Sequence, residues 1–164
     1  MQLYRSHGVK AHRYWHDVAG HNFRLTNLQA AIGCAQFESI DSIVRERRRV
    51  HRSYLRALAA VPGAAAQHMT PGVDPLVWAI ALRLDEAVYP QGRDRVMAQM
   101  AEHSIETRPG FHAASEMTHL YHAPSTPVAS ELARQVISLP SSPTVSDEEI
   151  AHVTGQLARL AGPR

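Results

Sequence analysis

Gly20-His21-Asn22-Phe23-Arg24-Leu25-Thr26-Asn27-Leu28-Gln29-Ala30-Ala31-Ile32-Gly33 is the stretch on which the reading of the fold turns. The Thr26 hydroxyl can cap a helix while Gln29, three residues on, reaches back to the cap backbone, the reciprocal arrangement of a capping box. From that start Leu28, Ile32, Ala35, Ile40, Ile43, Val50, Tyr54, Leu58 and Val61 recur at roughly helical spacing. The spacing predicts one long helix, stopped by Pro62-Gly63. Gly33 and the Ser39 to Asp41 region are the places where it would bend. Just ahead of the cap, Asn22 offers an amide and Arg24 a guanidinium beside a helix N-terminus, donors that suit a phosphate. The same pair also reads as ordinary turn and surface residues, and the residues alone leave both readings open.

Further along, residues 64–75 are rich in alanine, glycine and proline and read as a loop. Val77-Trp78-Ala79-Ile80-Ala81-Leu82-Arg83-Leu84 reads as a buried strand. A helix is predicted after Pro90-Gly92 with Val96, Met97 and Met100 as its apolar face, then a short strand Ile105 to Pro109 broken by its proline. Gly110 to Pro127 has no clear periodicity. Thr126-Pro127 suits the start of a short helix, and Val136 to Pro140 reads as a third strand. The last helix is the cleanest. Ser146 caps it, Glu149 completes the box, and Ile150, Val153, Leu157 and Leu160 form the stripe that faces a core. The order is α/β, a long helix followed by a small sheet covered by helices.

With 164 residues, of which 45% are hydrophobic and 20% charged, the chain can bury one ordinary core. No stretch reaches the uninterrupted apolar length of a membrane-spanning helix. The N-terminus lacks the charged-then-apolar order of a signal peptide, so a soluble, cytoplasmic protein is expected. The single cysteine, Cys34, excludes an intrachain disulfide and a cysteine-based zinc site. Lys10 is the only lysine, so chemistry that needs a Schiff-base amine has one candidate, and it sits in a polar segment with no sign of a pocket that would lower its pKa. Arg45, Arg49, Arg52 and Arg56 share one helical stripe, with Arg47 and Arg48 alongside. Such a stripe can bind nucleic acid, but no aromatic stacking platform accompanies it, and a solvated or subunit-facing helix side is the expected reading. His112, His119 and His122 with Glu116, and likewise His12 with His16, match no metal-ligand spacing.

The longer run Arg13-Tyr14-Trp15-His16-Asp17-Val18-Ala19-Gly20, continuing through the stretch above to Cys34-Ala35-Gln36, resembles the signature of the DegT/StrS family of sugar aminotransferases. Ile40-Asp41, the arginine run from Arg45 to Arg49, and an Arg5-Ser6-His7-Gly8 turn fit the same pattern. Ser104 to Pro109 and Ile137 to Thr144 are similar to the perosamine-synthase subgroup, so the likeness spans almost the whole chain. It implies the C-terminal portion of a type I aminotransferase fold. Residues 1–25 would lie near the active site, 26–62 would form the long helix leading to the small domain, and 63–164 would be that domain.

The resemblance also implies pyridoxal phosphate as cofactor of the complete enzyme, with two subunits sharing each active site. Asn22 matches the family asparagine that reaches across the dimer to the cofactor phosphate, and Arg24 the arginine beside it. Substrate-side roles fall to His16, Arg108 and His112. No residue matches a catalytic one, because the family's Schiff-base lysine, the aspartate at the pyridine nitrogen and the stacking aromatic precede the Arg5 to Gly8 turn. If Ser115 sits where the family usually has a histidine, one substrate-side contact is altered. The expected function is the C-terminal portion of an enzyme moving an amino group from glutamate to a nucleotide-linked keto-deoxy sugar. It would act as a homodimer or with a chain supplying the missing N-terminal half, and without nucleic-acid or membrane partners. The alternative is a non-catalytic truncated paralogue or fragment acting as an interaction or structural domain.

Overall fold

The computed structural model describes residues 2–11, 15–120 and 124–162. Arg13 and Tyr14 of the quoted motif, His12 and His122 of the histidine groups, and Pro163 lie outside the described residues. The chain packs as two units, Met1–Asp41 and Ser42–Arg164.

The first unit begins with a single helical turn, α1 (Gln2–Arg5), and a reversal at His7 and Gly8, which adopt φ of 60° and 73°. Two isolated antiparallel bridges, Ser6 to Asn22 and Val9 to His16, fold the segment after the reversal back along the start of the chain. Helix α2 (Asn27–Glu38) starts where the sequence predicts. The Gln29 backbone N–H donates to Thr26 Oγ1 at 3.2 Å, and the Thr26 N–H donates to Gln29 Oε1 at 2.9 Å. No residue of α2 is buried, and Leu28, Ile32 and Phe37 are all exposed.

The predicted single helix is two. Ser39 leaves the helical conformation (φ −98°, ψ 4°) and turns its N–H back to the carbonyls of Gln36 and Phe37, and a second helix, α3 (Ile40–Leu58), follows. The two differ in pattern: α2 spreads its apolar residues around its circumference, whereas α3 gathers Val50, Tyr54 and Leu58 on one buried face.

The second unit holds a four-stranded sheet of order β1-β2-β4-β3, antiparallel throughout. Its strands are β1 (Ala64–Ala66), β2 (Ile80–Leu84), β3 (Arg108–Pro109) and β4 (Val136–Leu139). Strand β1 lies in the segment expected to be a loop. Three alanines carry no strand signal of their own, and pairing with β2, Ala65 opposite Arg83, supplies the order. Strand β2 begins at Ile80 rather than Val77, and β3 keeps only the last two residues of its predicted span. Pro109, which has no N–H to give a ladder, is tolerated because β3 is an edge strand.

Alternation does the rest. Ile80, Leu82 and Leu84 of β2 and Ile137 and Leu139 of β4 are buried. Leu82 sits opposite Ile137 and Ile80 opposite Leu139. That face joins one core with Val50, Tyr54 and Leu58 of α3, Val96 and Met100 of α4 (Gly92–Glu102), and Ile150, Val153 and Leu157 of α6 (Asp147–Arg159). Ser146 and Glu149 form the capping box of α6. Helix α5 (Pro127–Gln135) begins on its proline, as predicted, and the aperiodic stretch before it contains two short 3-10 turns. The opposite face of the sheet carries Ala81, Val136 and Ser138, half-exposed and small to medium in size.

Candidate functional site

In the first unit, glycine 8 and glycine 20 decide where Asn22 and Arg24 stand. A Cβ on Gly20 would lie 2.1 Å from the Gly8 nitrogen, and a Cβ on Gly8 would lie 1.9 Å from the Val18 carbonyl oxygen. Only bare backbone fits at either position. The contact lets the two segments exchange hydrogen bonds: His21 N–H to the Tyr4 carbonyl at 2.7 Å, His7 N–H to the His21 carbonyl at 3.2 Å, and Phe23 N–H to the Arg5 carbonyl at 3.2 Å. The His21 and Phe23 rings stack with centroids 4.9 Å apart.

Asn22 and Arg24 are exposed, and neither side chain makes a hydrogen bond or ion pair among the described residues. They offer an amide N–H and a permanently charged guanidinium just ahead of the α2 cap, a donor set whose chemistry suits a phosphate. His16, also exposed, is occupied with backbone: its Nδ1 pairs with the His7 carbonyl within the bridge to Val9.

In the second unit the residue singled out from sequence, Arg108, is placed by sheet register. It pairs with Ser138, which pairs in turn with Ala81. Directly opposed residues share a face of a sheet, so Ala81, Ser138 and Arg108 form one row across β2, β4 and β3 on the side away from the core. The two small residues leave room in front of the arginine, and a cavity of about 690 Å³ opens there. Arg47, Trp78, Glu106, Arg108 and Phe111 are among its lining residues. Gly110 helps to form the wall, since a Cβ there would lie 2.8 Å from Val136 Cβ. His112 is exposed and does not line this cavity, and Ser115 hydrogen-bonds Thr126 through their hydroxyls at 2.7 Å.

Arg47, Trp78 and Phe111 were not legible as site residues in the sequence. Trp78 falls in phase with Ile80 and Leu82 and reads as a core residue. Because the strand starts two residues later, its side chain stays exposed.

Three arginines of α3 hold other segments of the chain. Arg47 donates to the Trp78 carbonyl at 3.3 Å, and Ser141 donates to the same oxygen at 3.0 Å. Arg48 pairs with Asp74 at 2.7 Å. Arg49 bonds Glu46 at 2.7 Å, Asp147 at 3.2 Å and the Val145 carbonyl at 2.6 Å. The hydrogen bond to Glu46, with the nearby acidic charges, holds the Arg49 guanidinium above its ordinary pKa. Tyr54 donates to the Pro140 carbonyl at 2.8 Å, and burial followed by the Glu149 charge raises its phenol pKa. Arg47, Arg48 and Arg49 thus tie α3 to segments distant in the chain, whereas Arg45 and Arg56 bond only serines of α3 itself. Among the described residues no group of three or more acidic, histidine or cysteine side chains could hold a metal ion. Likewise, no helix among them is long and apolar enough to cross a membrane.

A Gly8–Gly20 backbone contact that presents an amide and a guanidinium before a capped helix, joined in sequence to a small antiparallel sheet domain, fits the C-terminal portion of a sugar aminotransferase. The chain belongs to the DegT/DnrJ/EryC1/StrS aminotransferase family, whose model matches residues 1–158. Within it the chain is similar to GDP-perosamine synthase of Vibrio cholerae, with 32% identity over 148 residues that cover 88% of this chain and 40% of that enzyme.

Two solved structures share the fold. DesI, solved in the presence of its TDP-sugar product, aligns with a TM-score of 0.82 at 23% identity, covering 96% of this chain and 41% of its own. The PLP form of Spr1654 from Streptococcus pneumoniae aligns with a TM-score of 0.84 at 18% identity, covering 97% and 42%. The chain therefore spans about 40% of the length of the relatives it matches. Pyridoxal phosphate is the cofactor of the complete enzymes of this family.

Proposed function

We propose that this chain is the C-terminal portion of a pyridoxal-phosphate-dependent aminotransferase that moves an amino group from glutamate to a nucleotide-linked keto-deoxy sugar in the cytoplasm. The observation that carries the reading is the Gly8–Gly20 contact, which sets Asn22 and Arg24 together with no partner of their own among the described residues. In this reading Asn22 donates its amide N–H and Arg24 its guanidinium to the cofactor phosphate. Residues 1–25 flank the active site, 26–62 lead away from it, and 63–164 form the small domain. His16, Arg108 and His112 belong to the substrate side, with Arg108 holding an anionic group in front of the sheet. Pyridoxal phosphate, when bound in the complete enzyme, carries the amino group between donor and acceptor.

Lys10 lies in the exposed turn after Gly8 and has no catalytic part. The lysine comes from the other half of the fold, on a partner chain or on a longer form of this one, in a dimeric enzyme. The exposed apolar residues of the first unit, among them Leu25, Leu28, Ile32 and Phe37, support a surface that is covered in the working protein. They equally favour the second reading, a non-catalytic fragment that serves as an interaction domain.

Co-expression of this chain with the lysine-bearing half of a family member, followed by an assay of amino transfer from glutamate, separates the two. The aminotransferase reading expects activity only when both are present and its loss in Asn22→Ala with Arg24→Ala. Assembly without any transfer would favour the fragment, and transfer by this chain alone would overturn the reading.

A further inference from the structure

The peptide between His7 and Gly8 is held from three sides, and one of the three is a side chain. His7 is one of two non-glycine residues with a positive φ among the described residues, at 60°. A left-handed conformation brings Cβ close to the following carbonyl oxygen, so it persists only where surrounding contacts hold it. Here the Gly8 N–H donates to the Leu3 carbonyl at 2.9 Å, and the His16 ring meets the His7 carbonyl oxygen through Nδ1 at 2.5 Å.

Gly20 closes the third side. A Cβ on it would lie 2.1 Å from the Gly8 nitrogen and 2.4 Å from the His7 carbonyl carbon, so its bare backbone bears directly on this same peptide. Asn22 stands two residues beyond Gly20, and its backbone is bridged to Ser6, the residue before His7. Turning the His7–Gly8 peptide over would therefore take the support from under Gly20 and displace the segment that carries Asn22.

The contact also fixes where the imidazole keeps its proton. A carbonyl oxygen only accepts a hydrogen bond, so Nδ1 carries the hydrogen and, in the neutral ring, Nε2 is left with the lone pair. A neutral ring free in water exchanges its proton between the two nitrogens.

We propose that His16 is a positioning residue, whose Nδ1–H clasps the His7 carbonyl, locks the left-handed turn at His7 and Gly8, and through Gly20 sets the place of Asn22. The clasp occupies Nδ1 alone and leaves Nε2 open. It rests on the aminotransferase reading only for what Asn22 is positioned to do.

The test uses the whole chain with isotopically labelled histidine at about pH 8, where an ordinary imidazole is neutral. Long-range nitrogen–proton spectra, with His16 assigned by its absence from His16→Asn, should show Nδ1 protonated and Nε2 bare. An Nε2–H tautomer, or two nitrogens with averaged shifts, would overturn the proposal. Two variants then separate the N–H from the bulk of the ring. Asparagine carries its N–H on Cγ, where Nδ1 is also attached, whereas glutamine carries it one atom further out. His16→Gln should move the amide resonances of His7, Gly8 and Asn22 and speed amide exchange at Gly8 by roughly five- to tenfold, the loss of one hydrogen bond. His16→Asn should restore most of the native positions and rates. The amides of β2 and β4 should stay put in both, as the check that the second unit is intact.

Equal shifts in the two variants, or none in either, would contradict the clasp. In the co-expressed complex, His16→Gln should weaken pyridoxal phosphate binding and His16→Asn should not. If the tautomer and the rescue come out as expected while cofactor affinity is the same in all three proteins, the phosphate reading of Asn22 fails and the clasp stands. If the ring nitrogens are averaged while amino transfer proceeds, the clasp fails alone.

Discussion

Replacing Tyr54 by phenylalanine removes one oxygen from the centre of the second unit. Tyr54 is fully buried, and its hydroxyl donates to the Pro140 carbonyl at 2.8 Å. Phenylalanine keeps the ring in place and leaves no cavity, so the loss is that of a neutral hydrogen bond, about 1 kcal/mol at pH 7. The effect should then change with pH. Burial, with the Glu149 charge adding to it, raises the Tyr54 phenol above its ordinary value of 10.0, and burial pushes Tyr89 up to about 12.

A group whose folded pKa is raised contributes fully below its unfolded pKa, and the contribution is lost as pH rises toward the folded value. At pH 11 the unfolded chain has released a proton that the folded chain retains. The native protein is thereby destabilised by about 1 kcal/mol through Tyr54. Tyr54→Phe escapes this loss, while Tyr89 affects both proteins alike. Urea unfolding at 25 °C, followed by circular dichroism, should find the variant about 1 kcal/mol less stable at pH 7 and level with the native chain, or slightly above it, at pH 11. An undiminished gap at pH 11 would refute the reasoning, because it would mean that Tyr54 ionises as readily folded as unfolded.

Three further expectations follow from particular contacts. Burial, then the neighbouring Arg52 charge, lowers the pKa of His51 from 6.5. Its contribution is therefore present above pH 6.5 and is lost as pH falls through the depressed folded value, and His51→Gln should flatten the decline in urea midpoint between pH 7 and 5. Ser146→Ala removes the acceptor of the Glu149 N–H, 3.1 Å away, and should cost about 1 kcal/mol in the same unfolding assay. Gly20→Ala would put a methyl 2.1 Å from the Gly8 nitrogen. It should shift the amide resonances of Ser6 and Asn22 while those of β2 and β4 stay put, and unshifted Ser6 and Asn22 would contradict the close contact.

What the sequence made legible was local. The Thr26–Gln29 and Ser146–Glu149 boxes each involve two residues three apart, and both form as read. Strands β2 and β4 announce themselves as short apolar runs, of which the core takes alternate residues. What stayed hidden depended on partners distant in the chain. Ala64 to Ala66 become a strand only because β2 offers an edge. The break at Ser39 is local and falls in the region expected to bend, though the roughly helical spacing of apolar residues across it does not show that the helix is interrupted there.

The candidate site divides in the same way. Asn22, Arg24 and Arg108 belong to motifs that a family resemblance carries. Arg47, Trp78 and Phe111 meet only because register sets Ala81, Ser138 and Arg108 in one row. Nothing in the spacing of residues 47, 78 and 111 could reveal that.

Mass mapping of the purified chain after incubation with pyridoxal phosphate and borohydride bears most directly on the claim that this chain supplies the phosphate grip and not the lysine. Lys10 is its only lysine. The expected result is no stoichiometric pyridoxyl adduct, with any labelling weak and unaltered by Asn22→Ala or Arg24→Ala. A single stoichiometric adduct at Lys10, lost in those variants, would contradict the claim and make this chain a complete cofactor site.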